Sequence, residues 1–133
     1  ELIHSVDRAA LVDQISVLAQ RQALCVRILL QVNTAREPQK GGVAPEQLME
    51  LADHAAQSPG VRLCGLMCVA PLNDDAQLSG AQAAFCQARE WFDRLKSQYG
   101  PAFDTLSMGM SRDYRIALSC GSTMIRVGTS LFR

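Results

Sequence analysis

The chain has no excess of charge: 13 basic and 13 acidic residues cancel over its 133 positions. That balance excludes the basic footprint of a nucleic-acid binder and the polybasic face of a membrane-surface protein. Long hydrophobic runs are also absent. Hydrophobic residues make up 48%, an ordinary fraction for a globular protein, but no stretch approaches the roughly 18 apolar residues of a membrane span. The opening Glu1-Leu2-Ile3-His4 has neither an initiating Met nor the basic, apolar pattern of a signal peptide, and reads as a cut inside a longer protein. Lysine is scarce, with only Lys40 and Lys96. There is no internal repeat or low-complexity linker, so residues 1–133 read as one domain. The five cysteines, Cys25, Cys64, Cys68, Cys86 and Cys120, are an odd set scattered through apolar patterns. They read as reduced, buried thiols of a cytoplasmic protein. Cys64 and Cys68, four apart on an expected strand, would share a face. No second pair and no adjacent histidine completes a zinc site, so no metal is expected.

What is present is an alternation of short apolar runs and helical periods. Strands are expected at Leu2 to Val6, Cys25 to Val32, Val61 to Val69, Phe103 to Met108 and Thr123 to Val127. Between them, Leu11, Ile15 and Leu18, with Val12 beside them, form one helical stripe that Asp7 would cap. Leu48, Leu51, Ala52 and Ala55 form a second, opened by Pro45 and stopped at Ser58-Pro59-Gly60. Phe85, Ala88, Phe92 and Leu95 form a third, with Ser79 and Gln82 as a capping box and Gly100-Pro101 as the stop. Ser111 would cap a last short helix that Gly121 closes. Strict βα alternation predicts parallel strands in the α/β class. Five units alone fit an open doubly wound sheet. A complete β/α barrel takes roughly 200 residues or more.

The chemistry gathers at the C-terminal end. Thr105-Leu-Ser-Met-Gly-Met-Ser111 and Gly121-Ser-Thr-Met-Ile-Arg-Val-Gly-Thr129 each run an apolar strand into a small, hydroxyl-bearing, glycine-containing turn. Such turns leave backbone N–H groups free to hold a phosphate, and in β/α barrels a phosphate site lies in the loops after the last two strands. Gly109 and Ser111 are equally compatible with a plain turn and a helix cap. Arg126, inside an apolar strand, is costly unless its guanidinium meets an anion or a partner at the barrel end. Asn33 ends the second strand, where it would line the mouth of a site. His4, Ser5 and Asp7 have the residue types of a hydrolase triad, but they are sequence neighbours with no nucleophile elbow, so they are not assigned as catalytic. His54, beside Leu51 and Ala55, reads as a helix-surface residue. Met67, Met108 and Met110 read as core filler and Trp91 as outer packing.

Five segments in order resemble the YggS/PROSC family of pyridoxal 5′-phosphate homeostasis proteins. They are Ile3-His-Ser-Val-Asp7; Gln31-Val-Asn33 with Glu37 and Lys40-Gly41; Gly65-Leu-Met67 with Ala70-Pro71; Leu106-Ser-Met-Gly-Met-Ser111 with Asp113; and Gly121 to Thr129 with Leu131-Phe132. The resemblance implies a parallel (β/α)8 TIM-barrel fold, related to the alanine racemase N-terminal domain, of which this chain covers about the last five strands. It implies pyridoxal 5′-phosphate (PLP) as cofactor, held at its phosphate by Ser107, Met108, Gly109, Gly128 and Thr129. Arg126 would face the pyridine nitrogen, where a fixed cation leaves the ring a poor electron sink. The family's cofactor lysine lies on the first barrel strand, outside this chain. Lys40 matches a loop position, as a salt-bridge partner of Glu37 or an accessory anion contact, the former being the commoner role. The implied function is a non-catalytic carrier or regulator in PLP and amino-acid homeostasis. The alternatives are a PLP-dependent racemase or decarboxylase of the same barrel, or a phosphate-sugar epimerase. No tyrosine is expected at a strand end, since Tyr99 and Tyr114 fall on helices, which disfavours the racemase. An open arc of strands would expose apolar edges, so self-association or complementation by the missing N-terminal segment is expected.

Overall fold

The computed structural model describes residues 1–71 and 77–132. Five strands alternate with four helices: β1 (Leu2–Val6), α1 (Ala9–Arg21), β2 (Val26–Gln31), α2 (Leu48–Ala56), β3 (Val61–Cys68), α3 (Gln77–Tyr99), β4 (Thr105–Met110), α4 (Tyr114–Ser119) and β5 (Met124–Arg126). Short 3-10 turns at Pro45–Gln47 and Thr129–Leu131 lead into α2 and follow β5. All strand pairs are parallel and the sheet order is β1-β2-β3-β4-β5.

That order decides between the two architectures left open by the alternation. A doubly wound sheet reverses its strand order and carries helices on both faces. Here the order never reverses. Helix residues Val12, Leu51, Phe85 and Ala117 join strand residues Ile28, Leu30, Leu66, Leu106 and Met108 in one continuous core. The other sheet face carries only a small cluster of Leu29, Cys64 and Met67. Sequential parallel strands with their helices on one side form an arc of a β/α barrel. The helix side supplies the stability. Phe85, Leu95 and Phe103 are fully buried there, and each such side chain is worth about 1.5–3 kcal/mol.

Several local expectations are revised. Leu18 is exposed; the buried face of α1 is Val12, Ile15, Ser16 and Ala19, and the polar member Ser16 is satisfied by donating its hydroxyl to the Pro59 carbonyl. Asp7 does not cap α1. Arg8 takes the N-cap place with no capping bond from its side chain, while Asp7 Oδ2 accepts the Gly42 N–H at 3.1 Å and so ties β1 to the loop after β2. Nor does Ser111 cap α4, whose N-cap is Asp113. Pro45, Gly100 and Gly121 do act as expected at their helix ends. The side chain of Ser79, expected to cap α3, lies outside the described residues.

The cysteines divide differently from expectation. Cys64 and Cys68 are buried, but Cys25 and Cys86 are exposed and Cys120 is half-buried. Cys64 and Cys68 also lie on opposite faces of the sheet. The cause is a bulge. Ile28 pairs with Leu63 but Leu29 pairs with Gly65, so Cys64 is one residue extra on β3 and the inside–outside alternation flips after it. Gly65 permits this: a Cβ there would lie 1.7 Å from the Thr105 carbonyl oxygen.

Candidate functional site

The C-terminal ends of β3, β4 and β5 border an open cleft of ≈ 440 Å³ lined by Ala70, Ser111, Asp113, Arg126, Gly128 and Thr129 among others. β4 places Ser107 on the sheet face opposite the helices, and β5 places Arg126 beside it. Arg126 Nη1 donates to Ser107 Oγ at 2.7 Å, and Nη2 donates to the Cys68 carbonyl at 3.2 Å. Burial pulls the Arg126 pKa below its ordinary value, against the opposing influence of Cys68 and Asp113. The group stays a cation, as guanidinium does throughout the accessible pH range. Its cost of burial is met by a hydroxyl and a carbonyl rather than by a carboxylate; no salt bridge to Arg126 occurs among the described residues.

Ser107 is fully buried, and its Oγ also lies 3.0 Å from His4 Nδ1 on β1. Arginine only donates, so the hydroxyl accepts from Arg126 and keeps its own proton for a second partner. In the tautomer protonated at Nε2, His4 Nδ1 is that acceptor. Burial first, and the Arg126 charge second, pull His4 below its ordinary pKa and favour this neutral form. A relay from β5 through β4 to β1 thus crosses the sheet face. His4 was not singled out as a site residue by its sequence. The available signal was its even step from Leu2, which faces the same side.

At the rim, two backbone groups converge on one oxygen. The N–H groups of Gly128 and Ser130 point to Ser111 Oγ at 3.2 and 3.4 Å. Asp113 Oδ1 accepts the Met110 N–H at 2.7 Å and shapes the adjoining turn. Thr129 opens the following 3-10 turn and is exposed beside the cleft. Gly109 has φ +102°, and a Cβ on it would lie 2.7 Å from that of Ala117, so this glycine lets α4 close on β4. The Met108 side chain is fully buried in the helix-side core, leaving only its backbone near the site.

The remaining candidates sit elsewhere. Asn33 spends both ends of its amide on Glu37, donating to its carbonyl at 2.8 Å and accepting its N–H at 3.3 Å, which closes the loop after β2. Lys40 Nζ pairs with Glu37 at 3.0 Å and donates to the Ala70 carbonyl at 3.0 Å, as the salt-bridge reading expected. Lys96 donates to the Phe103 carbonyl near the start of β4, the opposite end of that strand from the cleft. His54 is a surface residue paired with Asp13. Met67 is buried as core filler, whereas Met110 is exposed.

Comparison with known proteins agrees with this architecture. The alanine racemase N-terminal domain family matches residues 1–133. A pyridoxal phosphate homeostasis protein of Aquifex aeolicus is 39% identical over 131 residues, 98% of this chain and 57% of its own. PipY of Synechococcus elongatus, solved without PLP, superposes with a TM-score of 0.89 at 37% identity, covering 99% of this chain and 61% of that one. The same protein solved with PLP bound gives 0.81 at 36% identity, covering 99% and 60%. The chain spans about half the length of the curated relatives it matches. The expected barrel arc and the YggS-type resemblance are both borne out: this chain belongs to the alanine racemase N-terminal domain family, among relatives named pyridoxal phosphate homeostasis proteins.

Proposed function

We propose that the chain is the phosphate-binding and ring-binding part of a PLP-binding barrel that serves PLP and amino-acid homeostasis as a cytoplasmic carrier or regulator rather than as a catalyst. The observation that carries this reading is the convergence of the Gly128 and Ser130 N–H groups on Ser111 Oγ beside Arg126. Two N–H donors aimed at one oxygen, with a fixed cation in the same cleft, suit a phosphate dianion. PipY, which has a structure with PLP bound, supports the choice of ligand.

The residues fit the group as follows. The Gly128 and Ser130 N–H groups and the Ser111 and Thr129 hydroxyls would hold the phosphate, with the Met108–Gly109 turn as the wall behind it. Arg126 would meet the pyridine nitrogen, and Ser107, expected from the resemblance to meet the phosphate, would instead fix that guanidinium, since its hydroxyl is shared between Arg126 and His4. When bound, the cofactor supplies an aldehyde and an electron-withdrawing ring; a permanent cation at the ring nitrogen keeps that nitrogen unprotonated and limits its use as an electron sink. The residues do not supply the aldehyde's anchor, since Lys40 and Lys96 are both committed elsewhere. The first three βα units of the barrel, with the cofactor lysine, would complete the site from outside residues 1–133.

The test is absorbance titration with PLP and with pyridoxal, followed by borohydride trapping and mass mapping. Phosphate-dependent, reversible binding with no adduct on Lys40 or Lys96 is expected, and an adduct once the N-terminal segment is added. Ser111→Ala or Thr129→Ala is expected to weaken binding about tenfold or more, the worth of one hydrogen bond to a charged group. An adduct on Lys40, or equal affinity for pyridoxal and its phosphate, would overturn the assignment.

A further inference from the structure

We propose that Cys86 and Cys120 form a reversible disulfide that clamps α4 to α3, independently of what the cleft binds. Their Sγ atoms lie 2.9 Å apart. A disulfide needs roughly 2.05 Å, so a movement under about 1 Å suffices. Both thiols are carried by helices. Cys86 is in the middle of α3, and Cys120 is the C-cap of α4, its N–H bonded to the Ile116 carbonyl at 3.0 Å. The junction is set without the sulfurs. Arg89 Nη1 donates to the Gly121 carbonyl at 3.1 Å, and a Cβ on Gly121 would lie 2.5 Å from that same nitrogen. The two helices are thus held with the two sulfurs side by side.

The pair is also asymmetric in access. Cys86 is exposed and lines an open groove with Ala35, Pro71, Gln87 and Glu90, through which a small oxidant reaches it. Cys120 is half-buried, and burial together with its hydrogen bond to Cys86 pushes its thiol up to about 11. Cys86 therefore meets the oxidant first and Cys120 resolves. With a low-molecular-weight disulfide such as oxidised glutathione, the Cys86 thiolate attacks one sulfur, breaks the S–S bond and releases one thiolate. Cys120 loses its proton and attacks Cys86 Sγ, releasing the second. The two protein thiols lose two electrons, the reagent gains them, and both protons end on the two reduced thiols released. The cysteines are 34 positions apart, so the bond closes a loop containing β4, α4 and the turns between them.

The chain is equilibrated in glutathione redox buffers, quenched by alkylation and peptide-mapped without reduction. The expected product is one linked Cys86–Cys120 peptide, lighter by two hydrogens, half-formed at [GSH]²/[GSSG] above about 0.1 M, beyond the millimolar range of flexibly tethered groups. Oxidation is expected to raise Tm by about 5–10 °C, reversed by dithiothreitol. Cys120→Ser is expected to trap the glutathione adduct on Cys86, and Cys86→Ser, at the exposed position, to abolish the Tm shift. In denaturing guanidinium the preference for this pair among the five cysteines should vanish. A stable glutathione adduct on Cys86 in the unsubstituted chain, a different native pairing, or equal selectivity in denaturant would overturn the proposal.

Discussion

Ser107 is the residue on which the sheet face turns, because both Arg126 and His4 touch its hydroxyl. Replacing it by alanine leaves a half-buried guanidinium short of an acceptor and an imidazole short of a donor. Ser107→Ala is therefore expected to cost about 1–3 kcal/mol in urea unfolding. A loss below about 0.5 kcal/mol would mean that water substitutes freely for the hydroxyl. His4 adds a pH dependence. Its pKa is lower folded than unfolded, so below its ordinary value the unfolded chain binds more protons than the folded one. Stability is full above about pH 6.5 and is lost as pH falls from there through the lower folded value. His4→Asn, which keeps an acceptor but does not titrate, is expected to flatten that slope. An unchanged slope would remove His4 from the account. Composition gave no hint of this relay. Residue types at Ser107 and Arg126 pointed to chemistry, but their mutual bond depends on strand register, which one-dimensional spacing does not carry.

At the scale of the element, periodicity was informative wherever one face is buried. All five strands and two of the three helical stripes could be read from it, the α1 stripe being off at Leu18, and Gly100 and Gly121 marked their helix ends. Caps were less legible. Asp7 and Ser111 have the right chemistry and position for capping, but tertiary N–H groups, Gly42 for one and Gly128 with Ser130 for the other, compete for the same oxygens. The bulge was invisible for a related reason: Gly65 looks like any strand glycine until the Thr105 carbonyl is brought against it. Because a Cβ there would sit 1.7 Å from that oxygen, Gly65→Ala must part β3 from β4. We expect it to cost more than about 3 kcal/mol and to leave the chain largely insoluble. Gly109→Ala meets the Ala117 Cβ at 2.7 Å and the Tyr114 Cα at 3.0 Å and is strained at φ +102°, but both neighbours ride on the short helix α4, which can shift as a unit where a sheet seam cannot. It is expected to cost about 1–3 kcal/mol by thermal or urea denaturation, the smaller of the two losses. The reverse ranking would show that α4, not the β3–β4 seam, is the less forgiving contact.

For the whole molecule, the governing fact is that the sheet is an arc with two ends. Among the described residues β1 pairs only with β2 and β5 only with β4, so each presents an unpaired edge. Apolar side chains lie close to both: Ile3 on β1, Met124 and Ile125 on β5, and Leu131 and Phe132 beyond it, the last 89% exposed. Water solvates such edges poorly, and another strand satisfies the backbone groups and covers the side chains in one step. Curved parallel strands do not close on themselves at five, which leaves both edges open to pairing with another chain or with further strands of the same barrel. We therefore expect sedimentation velocity of the chain alone to show association that grows with concentration. Mixing with the N-terminal segment of a curated relative is expected to suppress it. Ile3→Lys together with Ile125→Lys places a charge on each edge and is expected to weaken self-association about tenfold or more without shifting Tm by more than a few degrees, since both residues are already partly in water. If the doubly charged variant associates as before, the contact lies away from the strand edges, and the exposed outer positions Val17 and Leu18 of α1 become the surface to test.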